Sequence, residues 1–222
     1  MNIVFDLDGT LIDSAPDIQA VAAVILGRLG KAPLSLQETR TFIGEGAKVL
    51  VSRMMAAREI TETAEDHARI YADFIGEYEF AVEKAVFYPG VIDALAVCQT
   101  QGHRLGLCTN KPEVPARAVM RHMGMETMFA AFVAGGMLES RKPEPEMLWT
   151  CIKDLGGGPT LYVGDSETDA ETARRAGVPF ALYTEGYRKT PLTEIPHDWA
   201  FDHFDRLSDI VSMALVRGTA AQ

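Results

Sequence analysis

Cysteine is scarce: 3 residues in a chain of 222, at positions 98, 108 and 151, with no C-x-x-C pair. So few and so widely spaced, in an odd number, they argue against a disulfide framework and a cysteine-based zinc site. Three reduced thiols suit the cytoplasm, which is the expected compartment, and Cys108 lies in an apolar run that reads as core. No run approaches the length of a membrane span, and Asp6 leaves no room for a secretory signal. Positive charge is also short, with Lys+Arg 21 against Asp+Glu 31 and a net charge of −10. That balance argues against nucleic acid and an anionic membrane as partners, since both require basic patches. A small anion is not excluded, because a metal ion with one or two lysines inverts the potential locally. Repeats and low-complexity tracts are missing. The triplet Gly156-Gly157-Gly158 precedes no phosphate-loop lysine and reads as a connector.

What remains is an ordinary globular balance, 47% hydrophobic and 23% charged, with room for one large domain or a core plus a smaller one. The first apolar run, Ile3-Val4-Phe5, reads as a buried strand. Helical patterns then occupy 16–29, 36–42, 47–57 and 63–80, and no strand-like run is visible between Ile12 and Val86. From Tyr88-Pro89-Gly90 onward, helices over 91–100, 115–123, 146–155, 168–176 and 207–216 alternate with short apolar runs. Strands are expected over 104–108, 132–134, 160–163 and 179–183. Alternation of this kind predicts right-handed crossovers and a mostly parallel, doubly wound α/β sheet. The expected organisation is an α/β core of residues 1–14 and 86–222, with a helical cap over 15–85 inserted after the first strand.

The chemistry sits at strand ends. Asp6 and Asp8 stand one residue apart where Gly9 breaks the first strand, and ligands of open α/β sheets bind at that edge. Two carboxylates about 4 Å apart repel by roughly 4 kcal/mol at an effective dielectric of about 20. A divalent cation or a shared proton is the usual remedy; a solvated Asp-x-Asp-Gly turn is the bland alternative. Three more polar clusters follow later strands: Thr109-Asn110-Lys111, Arg141-Lys142-Pro143-Glu144-Pro145 and Gly164-Asp165-Ser166-Glu167-Thr168-Asp169. Each has an everyday reading as a polar turn, a surface lysine or a helix N-cap. Four in order on successive strand ends strain those readings. Asp6, Asp8, Asp165 and Asp169 around one point call for Mg²⁺ and for Lys142.

These four clusters resemble the motifs of the haloacid-dehalogenase-like hydrolases, and the match runs from the first strand to the Asp165 loop. Helices inserted just after the first motif are similar to the family's small-cap subtype. Gly44-Glu45-Gly46-Ala47-Lys48 and Thr109-Asn110-Lys111 are most similar to the phosphoglycolate phosphatase branch. The resemblance implies that Asp6 attacks phosphorus, forming an aspartyl-phosphate, and that Asp8 protonates the leaving alkoxide and then activates water. It implies that Thr10 holds Asp8, that Thr109 and Asn110 bind the phosphoryl group, and that Lys142 neutralises Asp6 and phosphate. Mg²⁺ would be held by Asp6, the backbone carbonyl of Asp8 and Asp165, with Asp169 supporting through water or Lys142 and Ser166 beside it. Gly44 and Gly46, opening a cap helix, would offer N–H groups to a substrate carboxylate. The expected activity is Mg²⁺-dependent hydrolysis of a small phosphomonoester, phosphoglycolate first, by a monomer or homodimer. The alternatives are a phosphosugar mutase, and a phosphatase for sugar phosphates, nucleotides or pyrophosphate.

Overall fold

A computed structural model describes residues 1–61 and 63–220. Its centre is a six-stranded parallel sheet in the order β5-β4-β1-β6-β7-β8. The strands are β1 (Asn2–Phe5), β4 (Arg104–Pro112), β5 (Ala131–Gly135), β6 (Thr160–Gly164), β7 (Phe180–Tyr183) and β8 (Trp199–Phe201). Helix α5 (Val91–Thr100) leads into β4, α6 (Glu113–His122), α7 (Glu146–Asp154) and α8 (Glu167–Ala176) connect the strands from β4 to β7 in turn, and α9 (Leu207–Ala220) follows β8. The fold is the doubly wound α/β architecture that the alternating pattern predicts.

Side chains alternate across the sheet with the period of two that a strand imposes. Ile3, Phe5, Leu105, Leu107, Leu161 and Val163 pack against α5, α6 and α9 on one face. Val4, Cys108, Tyr162 and Leu182 pack against α7 and α8 on the other. Because both faces are covered, the central strands read as continuous apolar runs rather than as alternating ones. The chain winds outward from β1 in both directions. The crevice above the carboxyl ends of β1, β4 and β6 is therefore the topological switch point.

After β1 the chain forms β2 (Ile12–Asp13), then α1 (Ala15–Arg28), α2 (Leu36–Phe42), α3 (Ala47–Ala57) and α4 (Ala64–Tyr78), and returns through β3 (Val86–Phe87). Strands β2 and β3 pair antiparallel, so the way into the helices and the way out are stitched together. The helices bury an apolar cluster of their own, including Ile18, Ile25, Leu50, Met54, Phe74 and Tyr78. Asp17, buried in the first turn of α1, accepts from the backbone N–H groups of Lys84 and Ala85, at 3.0 and 2.8 Å, and fixes the return. No described helix is long and apolar enough to cross a membrane. The cysteines at 98, 108 and 151 are free and buried.

Three short strands and one long one depart from the pattern reading. β2 and β3 span two residues each and β8 spans three, too few for a hydrophobic period to register. β4 runs to Pro112 instead of ending at Cys108. Its register with β5 shifts between Thr109 and Pro112, so Asn110 and Lys111 sit in a bulge instead of a loop beyond the strand.

Candidate active site

Asp6 follows directly on β1, and the chain then turns at Gly9, whose φ is +91°. A methyl group there would lie 2.4 Å from Asp165 Oδ2, so glycine is required for close approach as well as for the turn. Asp165 leaves β6 into the first turn of α8. A capping box closes that turn: Ser166 Oγ accepts from Asp169 N, and the Asp169 carboxylate accepts from Ser166 N at 3.2 Å. The N-cap reading of this segment is therefore correct for Ser166.

Asp6, Asp165 and Asp169 are buried, and each offers a carboxylate oxygen within 4.8 Å of the others. Lys142, whose side chain is 2% exposed, lies between them, 2.8 Å from Asp6 Oδ1 and 2.7 Å from Asp169 Oδ1. The oxygens of Asp169 are fully engaged. Oδ1 accepts from Lys142 Nζ and from the Tyr162 hydroxyl at 2.7 Å, while Oδ2 accepts from Asp165 N, Ser166 N and Ser166 Oγ. Asp169 thus acts on Lys142 and on the helix entry. Asp165 accepts from Thr10 Oγ1 at 2.9 Å and from Tyr187 N at 2.6 Å. Asp6 Oδ1, by contrast, is buried with Lys142 Nζ, at 2.8 Å, as its one polar partner among the described residues.

The electrostatics follow from that crowding. Burial pushes the Asp6 carboxyl up to about 7; Lys142 pulls against it, and the charges of Asp169 and Asp8 add to the rise. Burial, Asp169 and Asp6 together hold Asp165 well above the usual carboxylate range. At Asp169 burial also raises the value, but Lys142 and the hydrogen bonds outweigh it, and the carboxyl stays below its usual range. Burial opposes the charge on Lys142, yet Asp169 and Asp6 hold it firmly protonated. One ammonium against three crowded carboxylates leaves the cluster short of positive charge. A hard divalent cation with oxygen ligands fits that donor set, with Asp6 and Asp165 as its carboxylates.

Several residues stand where the motif reading expects them but touch different partners. Thr10 does not hold Asp8; its hydroxyl donates to Asp165. Asp8 is held instead by the Ser14 hydroxyl and by Lys111 Nζ, the latter at 3.0 Å. The Asn110 side chain is not free to bind phosphate: its amide donates to Gly44 O and Lys142 O and accepts from Lys142 N, each at 3.0 Å. The β4 bulge points this amide along the sheet edge, where it clips the Lys142 loop to the 43–46 loop. Thr109 is buried and accepts from Lys111 N at 3.2 Å, and its hydroxyl proton remains available. Gly44 and Gly46 line a cavity of about 30 Å³ together with Asp6, Asp8, Thr109 and Tyr78. No side chain caps α3, whose N-cap is Gly46.

Lys111, Ser14, Tyr78, Tyr162 and Tyr187 complete the site, and no role was legible for them in the sequence. Tyr187 is the most distant in the chain. Its hydroxyl donates to Asp13 at 2.6 Å and accepts from Ser14 N and Ala15 N, while its backbone N–H serves Asp165. Nothing in the local pattern after β7 marks it.

The whole arrangement has relatives. Residues 3–183 match the model of the haloacid dehalogenase-like hydrolases. The chain belongs to that family. It is 44% identical to the phosphoglycolate phosphatase of Rhodobacter capsulatus, over 94% of this chain and 95% of the relative. It is 42% identical to the phosphoglycolate phosphatase of Cereibacter sphaeroides (strain ATCC 17029 / ATH 2.4.9), over 96% and 98%. Among solved structures, a predicted phosphoglycolate phosphatase from Haemophilus somnus 129pt superposes with a TM-score of 0.89 at 29% identity, covering 95% and 97%. Within the haloacid dehalogenase-like hydrolases the chain falls in the phosphoglycolate phosphatase-like branch.

Proposed function

We propose that this phosphoric monoester hydrolase removes the phosphoryl group from phosphoglycolate in the cytoplasm, with Mg²⁺ as its cation and Asp6 as its nucleophile. The observation that carries the reading is the buried cluster of Asp6, Asp165 and Asp169, three carboxylates around the single ammonium of Lys142, beside Asp8 and a cavity. Kinship to relatives named phosphoglycolate phosphatase supports the choice of substrate.

In this reading Asp6 attacks phosphorus and carries the phosphoryl group as an aspartyl-phosphate. Asp8 protonates the leaving alkoxide and then takes a proton from the water that cleaves the intermediate, a contribution of about 10²- to 10⁴-fold. Lys142, locked by Asp169 and Tyr162, presents its ammonium to Asp6 and to the phosphoryl oxygens. The Thr109 hydroxyl donates to those oxygens. Asp6, Asp165 and the backbone carbonyl of Asp8 would hold Mg²⁺, which supplies charge neutralisation and polarises the phosphoryl group. Helices α1–α4, residues 15–85, act as a cap that excludes water, and the Gly44–Gly46 loop offers N–H groups to the substrate carboxylate.

The test is phosphate release from phosphoglycolate, sugar phosphates, nucleotides and pyrophosphate, with and without Mg²⁺. Phosphoglycolate is expected to give the highest kcat/KM, and Asp6→Asn is expected to abolish turnover of every substrate. An Asp6→Asn protein that released phosphate at the wild-type rate would rule Asp6 out as nucleophile. Conversion of β-glucose 1-phosphate to glucose 6-phosphate, without free phosphate, would favour the mutase reading instead.

A further inference from the structure

The cavity beside Asp6 and Asp8 contains a cation that the phosphoryl chemistry leaves unused. Lys111 emerges from the β4 bulge and is turned inward, its side chain only 2% exposed. Its ammonium lies 3.0 Å from Asp8 Oδ1, donates to the Tyr78 hydroxyl, and sits 4.3 Å from the centroid of the Tyr78 ring. Of the described residues lining the cavity it is the one cation; the rest are Asp6, Asp8, neutral polar groups, glycines and apolar side chains.

We propose that Lys111 is the specificity-determining residue of this site. It recognises a carboxylate that the substrate carries close to its phosphate, and Asp8 holds that carboxylate's place while the site is empty of substrate. The inference deepens the phosphoglycolate reading and rests on it.

A buried ammonium must keep a counter-charge, because leaving it unpaired in a dry site is costly. Asp8 now provides one, with the same chemistry a substrate carboxylate would bring. Exchanging one carboxylate for the other keeps Lys111 paired throughout. A phosphomonoester without a carboxylate offers no such exchange and gains nothing from Lys111. Distance selects further. Asp6, Asp8 and Lys111 line one small cavity, so the ammonium that now holds Asp8 lies beside the phosphoryl site. A carboxylate one carbon removed from the phosphate ester oxygen fits that span. The flexible lysine stem permits the exchange, and the Tyr78 hydroxyl and ring hold the ammonium in reach.

The experiment compares kcat/KM for phosphoglycolate and for ethyl phosphate, which differs in having a methyl group where phosphoglycolate has its carboxylate. The preference for phosphoglycolate is expected to fall roughly 10- to 150-fold in Lys111→Met, the range of a charged hydrogen bond, and mainly through KM. Lys111→Gln, which keeps a donor for Asp8 and Tyr78 without the charge, is read in the same way should the methionine variant fail to fold. A preference unchanged in both variants would overturn the proposal, since Lys111 would then act on Asp8 alone. The substrate reading fails separately. If the wild-type protein ignores phosphoglycolate but prefers 2-phosphoglycerate, whose carboxylate is also one carbon from the ester oxygen, over ethyl phosphate, and Lys111→Met removes that preference, the Lys111 assignment stands. A wild-type protein with no preference for carboxylate-bearing esters overturns it.

Discussion

Asp6 is the residue at which burial and charge conflict most directly, and the conflict has a measurable sign. Its carboxyl sits at about 7 in the folded protein against an ordinary value of 3.8. The folded state therefore holds this proton more tightly than the unfolded chain. That contribution to stability is present in full below the ordinary value and is lost as pH rises through about 7. A cation bound at Asp6 competes with the same proton, and Asp165, raised by burial, works in the same direction. Mg²⁺ affinity is expected to weaken at least about ten-fold between pH 8 and pH 6. Calorimetric titration at each pH reads it directly, and a flat profile would contradict the assignment of Asp6 as a ligand. At this scale the acids and Lys142 were legible because their types fall in motif order at successive strand ends. Lys111 stood in plain view within Thr109-Asn110-Lys111, but a lysine at a strand end is ordinarily solvated. Only the bulge turns it inward.

At the scale of elements, apolar periodicity located the helices well. α2, α3 and α5 have the bounds that the spacing predicts, and the other core strands and helices differ by a few residues at their ends. What it did not reveal are the short pieces that carry geometry: the β2–β3 pair, the edge strand β8 and the irregular end of β4. These elements are fixed by pairing with distant strands, which leaves no local period to read. The loop after β7 is of the same kind. Tyr187 ties the Asp165 loop to the entrance of α1 through its hydroxyl and its backbone. Tyr187→Phe leaves Asp13, Ser14 N and Ala15 N without that hydroxyl while preserving the ring's packing. A loss of about 1–3 kcal/mol is expected from thermal or denaturant unfolding. A loss below that range would mean that water replaces the hydroxyl and that the tie carries no strength.

Across the whole molecule, the helices between β2 and β3 close over the sheet edge with a core of their own. The cavity they leave, about 30 Å³, has room for about one water molecule and not for a phosphorylated acid. Substrate entry is therefore expected to part the 43–46 loop from the β4 bulge, breaking the contact of the Asn110 amide with Gly44 O. Opening of this kind exposes backbone amides that the closed form shields. Inorganic phosphate with Mg²⁺ is expected to slow amide hydrogen exchange at residues 43–47 by about ten-fold or more, holding the closed form. Exchange unaffected by ligand, with turnover intact, would show that substrate enters without this separation.

The sequence by itself determined the doubly wound sheet, the helical insertion after the first strand, and the acids and lysine at the strand ends. Each depends on local period or on the residue types that phosphoryl chemistry requires. Tertiary structure alone decided what those residues touch. Asn110 became a clip, Thr10 a partner of Asp165, and the Tyr162 hydroxyl joined Asp169 in holding Lys142, because partners converge there from β4, the 43–46 loop, β6 and the loop after β7. The same is true of Lys111. A lysine's chemistry is written in the chain, but its place beside Asp8 and Tyr78 is set by a bulge in one element and the packing of another.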